Sequence, residues 1–256
     1  MALGDWLTVL LLSVTRIACA ARFFPPFSES VLVGPTRQLV VLLLALPVVP
    51  MVSAAQGMVQ GPWQLVGLVA KEVVVGCCVG FLAALPFRVI EMVGNLMDNQ
   101  RGATMGEIFS PMSGSQEAPL AQFLLVLALA VFYLSGAVLL FLEAVYGSFR
   151  LFPVTTWLVL SEDLPTGLLG SADGMMRLAV VLAAPVVLIM VLATLGLGLV
   201  NRSAPQLNVF VLSMPVKSAL GIGVLLLGLR FLLDRVEASF AAGWLHLLAT
   251  WFQEAA

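Results

Sequence analysis

The chain has 256 residues, of which 61% are hydrophobic and only 10% charged, with a net charge of −2 and a mean hydropathy of +1.08. A soluble domain carries about 25% charged residues, so this composition excludes an ordinary soluble protein and points to an integral membrane protein or a member of a membrane assembly. With no basic run, nucleic acid is not an expected partner.

The first apolar segment runs from Trp6 to Ala21 and is interrupted by Arg16. Ala18-Cys19-Ala20 has the form of a signal-peptidase site, but Asp5 stands where a basic region belongs, which argues against a cleaved signal. Arg22 to Arg37 reads as a loop, and Phe23-Phe24-Pro25-Pro26 predicts a semi-rigid interfacial turn. Leu39 to Val52 is apolar but shorter than the roughly 20 residues of a straight span. Pro47 and Pro50 break it, so it is expected to be kinked, re-entrant or completed by neighbouring protein.

Trp63 to Leu85 is long enough to span, yet Lys71 and Glu72 lie near its middle. Adjacent helical residues point about 100° apart, so these two are not expected to pair with each other; each needs a partner elsewhere. Charges at such depth mark either a functional site or a structural ion pair between helices. Gly76 and Gly80 form a G-x-x-x-G pair that permits close helix approach. Cys19, Cys77 and Cys78 lack metal-ligand spacing and read as small hydrophobes.

Phe87 to Pro119 is a polar island. Over Phe87 to Arg101 the helical period places Arg88, Glu91, Asn95, Asp98 and Asn99 on one stripe and Phe87, Ile90, Val93 and Met97 on another face. From Gly102 onward breakers accumulate: Gly102, Gly106, Pro111, Ser113, Gly114, Ser115 and Pro119. Among them sit Met105, Ile108, Phe109 and Met112, too apolar for a plain solvated loop. Irregular backbone near a membrane persists only where protein buries it or a cavity receives it. The alternative is an exposed inter-helix connector.

Leu120 to Tyr146 reads as the cleanest apolar helix, with Glu143 and Arg150 as boundary charges. Leu151 to Ala172 is a mixed connector, and composition places an internal boundary near Gly170. Met175 to Val200 is the fifth apolar segment, and its central Pro185 predicts a kink. Asn201 to Gln206 reads as a tight polar turn. Leu207 to Leu233 is the sixth segment and contains Pro215 and Lys217. Asp234 to Ala256 is amphipathic, with Phe240, Trp244, Leu248 and Trp251 on one face and His246 at an interfacial position. Arg22 and Arg37 flank one side of the first hairpin, which favours a non-cytoplasmic N-terminus, but the later arginines fall on both sides and give no consistent orientation.

No phosphate-cradling glycine loop, metal cluster or nucleophile–base arrangement is apparent, so an enzyme is not expected and no cofactor is implied. A secondary transporter or channel built on Lys71 and Glu72 with broken helices remains an alternative.

Two stretches carry a family resemblance. Met97-Asp98-Asn99-Gln100-Arg101-Gly102-Ala103, with Ser110-Pro111 and Ala118-Pro119-Leu120, is the first. Asn201-Arg202-Ser203-Ala204-Pro205-Gln206-Leu207-Asn208-Val209-Phe210, continuing to Met214-Pro215-Val216-Lys217, is the second. Together with the order of apolar segments they resemble the type III secretion export apparatus family SctT, whose flagellar counterpart is FliR. Gln100-Arg101-Gly102 looks more like the injectisome branch, which implies a role in virulence.

The resemblance implies an all-α, membrane-associated fold of kinked helical hairpins. Residues 1–170 would be SctR-like and contain a plug loop at about 102–119; residues 171–256 would be an SctS-like hairpin with an amphipathic C-terminal helix. One copy would join SctR-like and SctS-like subunits in a helical export gate of the bacterial inner membrane, beside SctU-like and SctV-like components and inner rod and needle proteins. Unfolded secreted proteins would pass through it. The resemblance also implies a pore plug with Gly102, Met105, Gly106, Ile108, Phe109, Pro111, Met112 and Gly114. Lys71, Glu72, Glu91, Asp98, Gln100, Arg101, Arg202, Asn208 and Lys217 are the expected polar contacts between helices, subunits or within the membrane.

Overall fold

The computed structural model describes residues 3–28, 31–50, 61–102, 118–154, 163–203 and 209–241, and every regular element among them is helical. Helix α1 spans Leu3–Phe23, α2 Pro35–Ala45, α3 Pro62–Arg101, α4 Pro119–Leu134, α5 Ala137–Leu151, α6 Asp163–Ser203 and α7 Val209–Ala241. Short 3-10 turns occupy Pro25–Phe27 and Leu46–Val48. Helices α2, α3 and α4 each begin on a proline, where the missing N–H would have had no intrahelical partner.

Several boundaries differ from the sequence reading. Trp63 to Leu85 and Phe87 to Arg101 are one helix, because α3 continues through Pro86. A proline inside a helix costs about 3 kcal/mol, but Leu82, Ala83, Leu85 and Phe87 around it are all buried and offset that loss. The single helix expected from Leu120 to Tyr146 is two. Gly136 between them has φ of 75°, a left-handed turn that a right-handed helix cannot continue. The expected connector is helical from Asp163, and α6 runs through Pro185 to Ser203, so the first half of the expected turn Asn201–Gln206 is helical and its second half lies outside the described residues. Helix α7 passes Leu233 and is described as far as Ala241, so the start of the amphipathic tail prolongs the helix before it. Trp244, His246, Leu248 and Trp251 lie outside the described residues. The short apolar segment near Pro47 does break, at the turn Leu46–Val48.

Three described helices are long and apolar enough to cross a membrane: α3, α6 and α7. The most apolar windows of α6 and α7 are only 28% and 17% buried, against 67% for α3. Their open faces are therefore built for lipid or neighbouring subunits.

The described residues form two compact units. The first draws on Met1–Leu85, Gly136–Ser171 and Phe240–Ala256, the second on Pro86–Ser135 and Ala172–Ser239. The boundary that composition places near Gly170, and the SctR-like and SctS-like parts on either side of it, remain proposals.

In the first unit Phe24 is 1% exposed and its ring stacks on Phe141 with centroids 4.0 Å apart. It is a core residue, while Phe23 beside it is 44% exposed and Pro25–Phe27 form a turn, as the Phe-Phe-Pro-Pro run predicts. Gly76 and Gly80 press against α1, where a Cβ would overlap the backbone of Arg16 and Ala20 respectively. The G-x-x-x-G pair is thus a close-approach surface, as its spacing predicts. In the second unit Phe87, Ile90 and Val93 are fully buried, Met97 is 1% exposed, and Phe87 meets Phe132 edge-on at 5.4 Å. Gly94 lies against α4, where a Cβ would overlap the backbone of Ala121.

Candidate functional site

Four of the polar groups expected to matter, Lys71, Glu72, Asp98 and Arg101, gather at two helix ends, one pair in each unit. In the first unit the C-terminal end of α5 meets α1 and α3. A helix C-terminus exposes unpaired carbonyls and carries about half a negative charge. Arg16 Nη2 donates to the Phe152 carbonyl at 2.9 Å, and Lys71 Nζ donates to the Pro153 and Val154 carbonyls at 2.7 and 2.9 Å. Glu72 lies between the two cations. It accepts from Arg16 Nε at 2.6 Å and Nη2 at 2.9 Å, and its Oε1 is 3.1 Å from Lys71 Nζ.

Arg16 also donates to Ser148 Oγ at 3.3 Å and stands 4.0 Å from the Phe149 ring centroid. Arg16, Glu72 and Lys71 are 1%, 0% and 5% exposed. Two cations against one carboxylate leave one excess positive charge. The carbonyls beyond α5 absorb part of it, which is how so many charges are held out of water. Lys71 and Glu72 do contact each other, contrary to the expectation from adjacent positions. Side-chain origins diverge on a helix, but the long lysine stem lets its ammonium swing back to the neighbouring carboxylate.

In the second unit the N-terminus of α4 has no cap of its own, because Ala118 supplies no side-chain oxygen. Asp98 of α3 supplies it instead. Its Oδ2 accepts from the backbone N–H of Leu120 at 3.0 Å and of Ala121 at 3.1 Å. Pro119 has no N–H, and the Gln122 N–H donates to the Ala118 carbonyl at 3.0 Å. The first turn of α4 is thereby fully satisfied. Asp98 Oδ1 lies 2.6 Å from Arg101 Nη2, an ion pair outside hydrogen-bond geometry, and Arg101 Nε has no hydrogen-bond partner among the described residues. Asp98 is 1% exposed, whereas Arg88 and Asn99 of the same polar stripe are exposed. Helix α3 ends at Gly102, whose φ of 81° and N–H to the Asn99 carbonyl at 3.2 Å form a left-handed C-terminal stop.

The remaining expected residues do not converge on these clusters. Glu91 pairs with Arg88 at 2.7 Å on the surface. Gln100 and Arg202 are exposed and Lys217 is half-buried. Met105, Gly106, Ile108, Phe109, Pro111, Met112, Gly114 and Asn208 lie outside the described residues. Arg16, Ser148 and Gly94 were not singled out from sequence as contact residues. A lone arginine inside an apolar segment was the available signal for the first. Among the described residues no group of His, Cys, Asp and Glu side chains is placed to hold a metal ion.

Comparison with known proteins agrees with these motifs. The model of the bacterial export proteins, family 1, matches residues 7–243. The chain is similar to Yop proteins translocation protein T of Yersinia pestis, 37% identical over 84% of this chain and 82% of that protein. It is 31% identical to the secretion system apparatus protein SsaT of Salmonella typhimurium over 97% of both chains. It is 35% identical to the surface presentation of antigens protein SpaR of the same organism, over 95% of this chain and 90% of that one. With both signature stretches present and the match running almost end to end, the chain belongs to the bacterial export proteins, family 1, the SctT group of type III secretion export apparatus proteins.

Proposed function

We propose that this chain is a non-enzymatic core subunit of a type III secretion export gate in the bacterial inner membrane. It joins SctR-like and SctS-like subunits to form the pore, next to SctU-like and SctV-like components and the rod and needle. Unfolded protein passes through, with energy supplied by other components. The segment after Gly102 serves as the plug, with Ile108, Phe109 and Met112 as its apolar tip. A hydrophobic constriction excludes water and ions while closed, and glycine-rich backbone lets it move.

One observation carries this reading. Asp98 ties the end of α3 to the start of α4, so the described residues that flank segment 103–117 are joined. A plug needs such a fixed stem, since only its tip is to move. Lys71 and Glu72, the polar pair on which the transporter alternative relied, are committed to Arg16 and to the carbonyls beyond α5. Those contacts favour a structural role for the pair over a transport site. Deleting residues Gly106 to Ser115 tests the plug: the complex still assembles and the membrane leaks ions. Unchanged conductance in an assembled complex refutes it.

A further inference from the structure

In the first unit, α1 and α2 leave a cavity of about 630 Å³ between them. The helical period explains its lining. Val14 and Ala18 are four apart on α1, and Gly34, Gln38 and Leu42 recur at four-residue steps on α2, with Arg37 and Val41 beside them. The cavity has two ends of different character. Arg37 Nη2 donates to the Ala21 carbonyl at 3.5 Å, so the start of α2 lies beside the end of α1, and Gly34, Arg37 and Gln38 form a polar end there. Val41 and Leu42, a turn further along α2, and Val14, a turn before Ala18, form an aliphatic end. The hairpin also carries large apolar side chains on its surface: Val33, Leu39 and Leu43 are 74%, 60% and 53% exposed.

The charge balance of the hairpin is positive. From Trp6 to Pro50 the sequence sets Arg16, Arg22 and Arg37 against one carboxylate, Glu29, which lies outside the described residues. Arg16 is matched by Glu72, so Arg22 and Arg37 exceed Glu29 by one charge. An occupant that suits the cavity therefore joins an apolar body to a negative head. Water alone suits it poorly: the volume admits about twenty molecules at roughly 30 Å³ each, and the aliphatic end offers them no hydrogen-bond partner. An acyl chain matches that end. A phosphate matches Arg37, whose five N–H donors serve more than one acceptor. Basic pockets between membrane helices bind anionic headgroups in this way.

We propose that this cavity binds one anionic phospholipid, with an acyl chain between Val14, Ala18, Val41 and Leu42 and the phosphate at Arg37. The proposal goes beyond the export-gate reading and needs only that the hairpin meets the bilayer.

The test uses the full chain, with the subunits that co-purify with it, in nanodiscs of phosphatidylcholine. A trace of phosphatidylglycerol carries a photoreactive diazirine in its acyl chain. Illumination and peptide mapping place adducts on residues 14–18 and 38–42. Added unlabelled phosphatidylglycerol lowers this labelling severalfold, whereas phosphatidylethanolamine and inorganic phosphate do not. Arg37→Gln lowers it about fivefold, the effect of one basic residue at an anionic surface, and Arg37→Lys restores most of it. Ala18→Phe fills the cavity and removes the labelling. Should that variant fail to fold, Leu42→Trp narrows the same space from a position already 45% exposed and gives the same loss. Labelling that ignores Arg37→Gln, or that both lipids compete for equally, reports only the surrounding bilayer and overturns the proposal. Absence of adducts on residues 14–18 and 38–42 also overturns it, as does a photoreactive residue at position 42 that captures another subunit instead of lipid. None of these outcomes bears on the export-gate reading, which the plug deletion tests separately.

Discussion

Removing the Glu72 carboxylate tests the buried cluster most severely. Glu72→Ala leaves Arg16 and Lys71, 1% and 5% exposed, as buried cations without a carboxylate. Breaking a buried pair by removing one partner costs about 3–5 kcal/mol. Here the carbonyls of Phe152, Pro153 and Val154 and the Phe149 ring still stabilise the cations, which places the loss near the lower end of that range. For a chain of this size 1 kcal/mol corresponds to about 2–4 °C, so a loss near 3 kcal/mol lowers Tm by about 6–12 °C. Tryptophan fluorescence during heating of the detergent-purified chain measures this directly. Glu72→Gln is nearly as damaging, because its amide N–H group opposes an arginine or lysine donor. Replacing all three charges with apolar residues of similar volume, Arg16→Met, Lys71→Met and Glu72→Leu together, recovers much of the loss. A Glu72→Ala chain that melts within about 2 °C of the parent, less than the shift expected for 1 kcal/mol, would refute the buried triad.

The cap between helices makes a second prediction. Asp98→Ala costs about 2 kcal/mol, the upper end for a lost N-cap, and amide hydrogen exchange at residues 120 and 121 speeds up. Asp98→Asn keeps an acceptor and loses less than half as much. Gly94→Ala forces a Cβ into the backbone of Ala121 and costs about 1–3 kcal/mol, read as lower Tm and less assembled complex. Gly174→Ala in α6 meets nothing within 4 Å and is neutral or stabilising by about 0.5–1 kcal/mol.

Much of the fold was legible wherever a period governed it. Phe87, Ile90, Val93 and Met97 recur at helical spacing and are all buried. The four-residue step from Gly76 to Gly80 marked the surface that α1 occupies. What stayed illegible depended on partners distant in sequence. Arg16 and Glu72 are 56 positions apart, and isolated charges in separate apolar segments can be matched in many ways. The rule that adjacent residues diverge describes side-chain origins, not the reach of a lysine ammonium. Gly136 was hidden because apolar residues on both sides keep the hydropathy of Leu120 to Tyr146 high, although Ser135-Gly136 is a breaker pair. Asp98 was expected as a polar contact, but its partners, the N–H groups of Leu120 and Ala121, were not legible. The signal for its role lay some 20 residues on: Ala118-Pro119 is a helix start without a capping oxygen, so another element had to supply one.

Native mass spectrometry of the detergent-purified chain, co-expressed with its SctR-like and SctS-like neighbours, tests the export-gate assignment most directly. A gate subunit appears as a single copy within a larger hetero-oligomer. A lone monomer, or a symmetric homodimer that ignores those neighbours, would contradict the assignment.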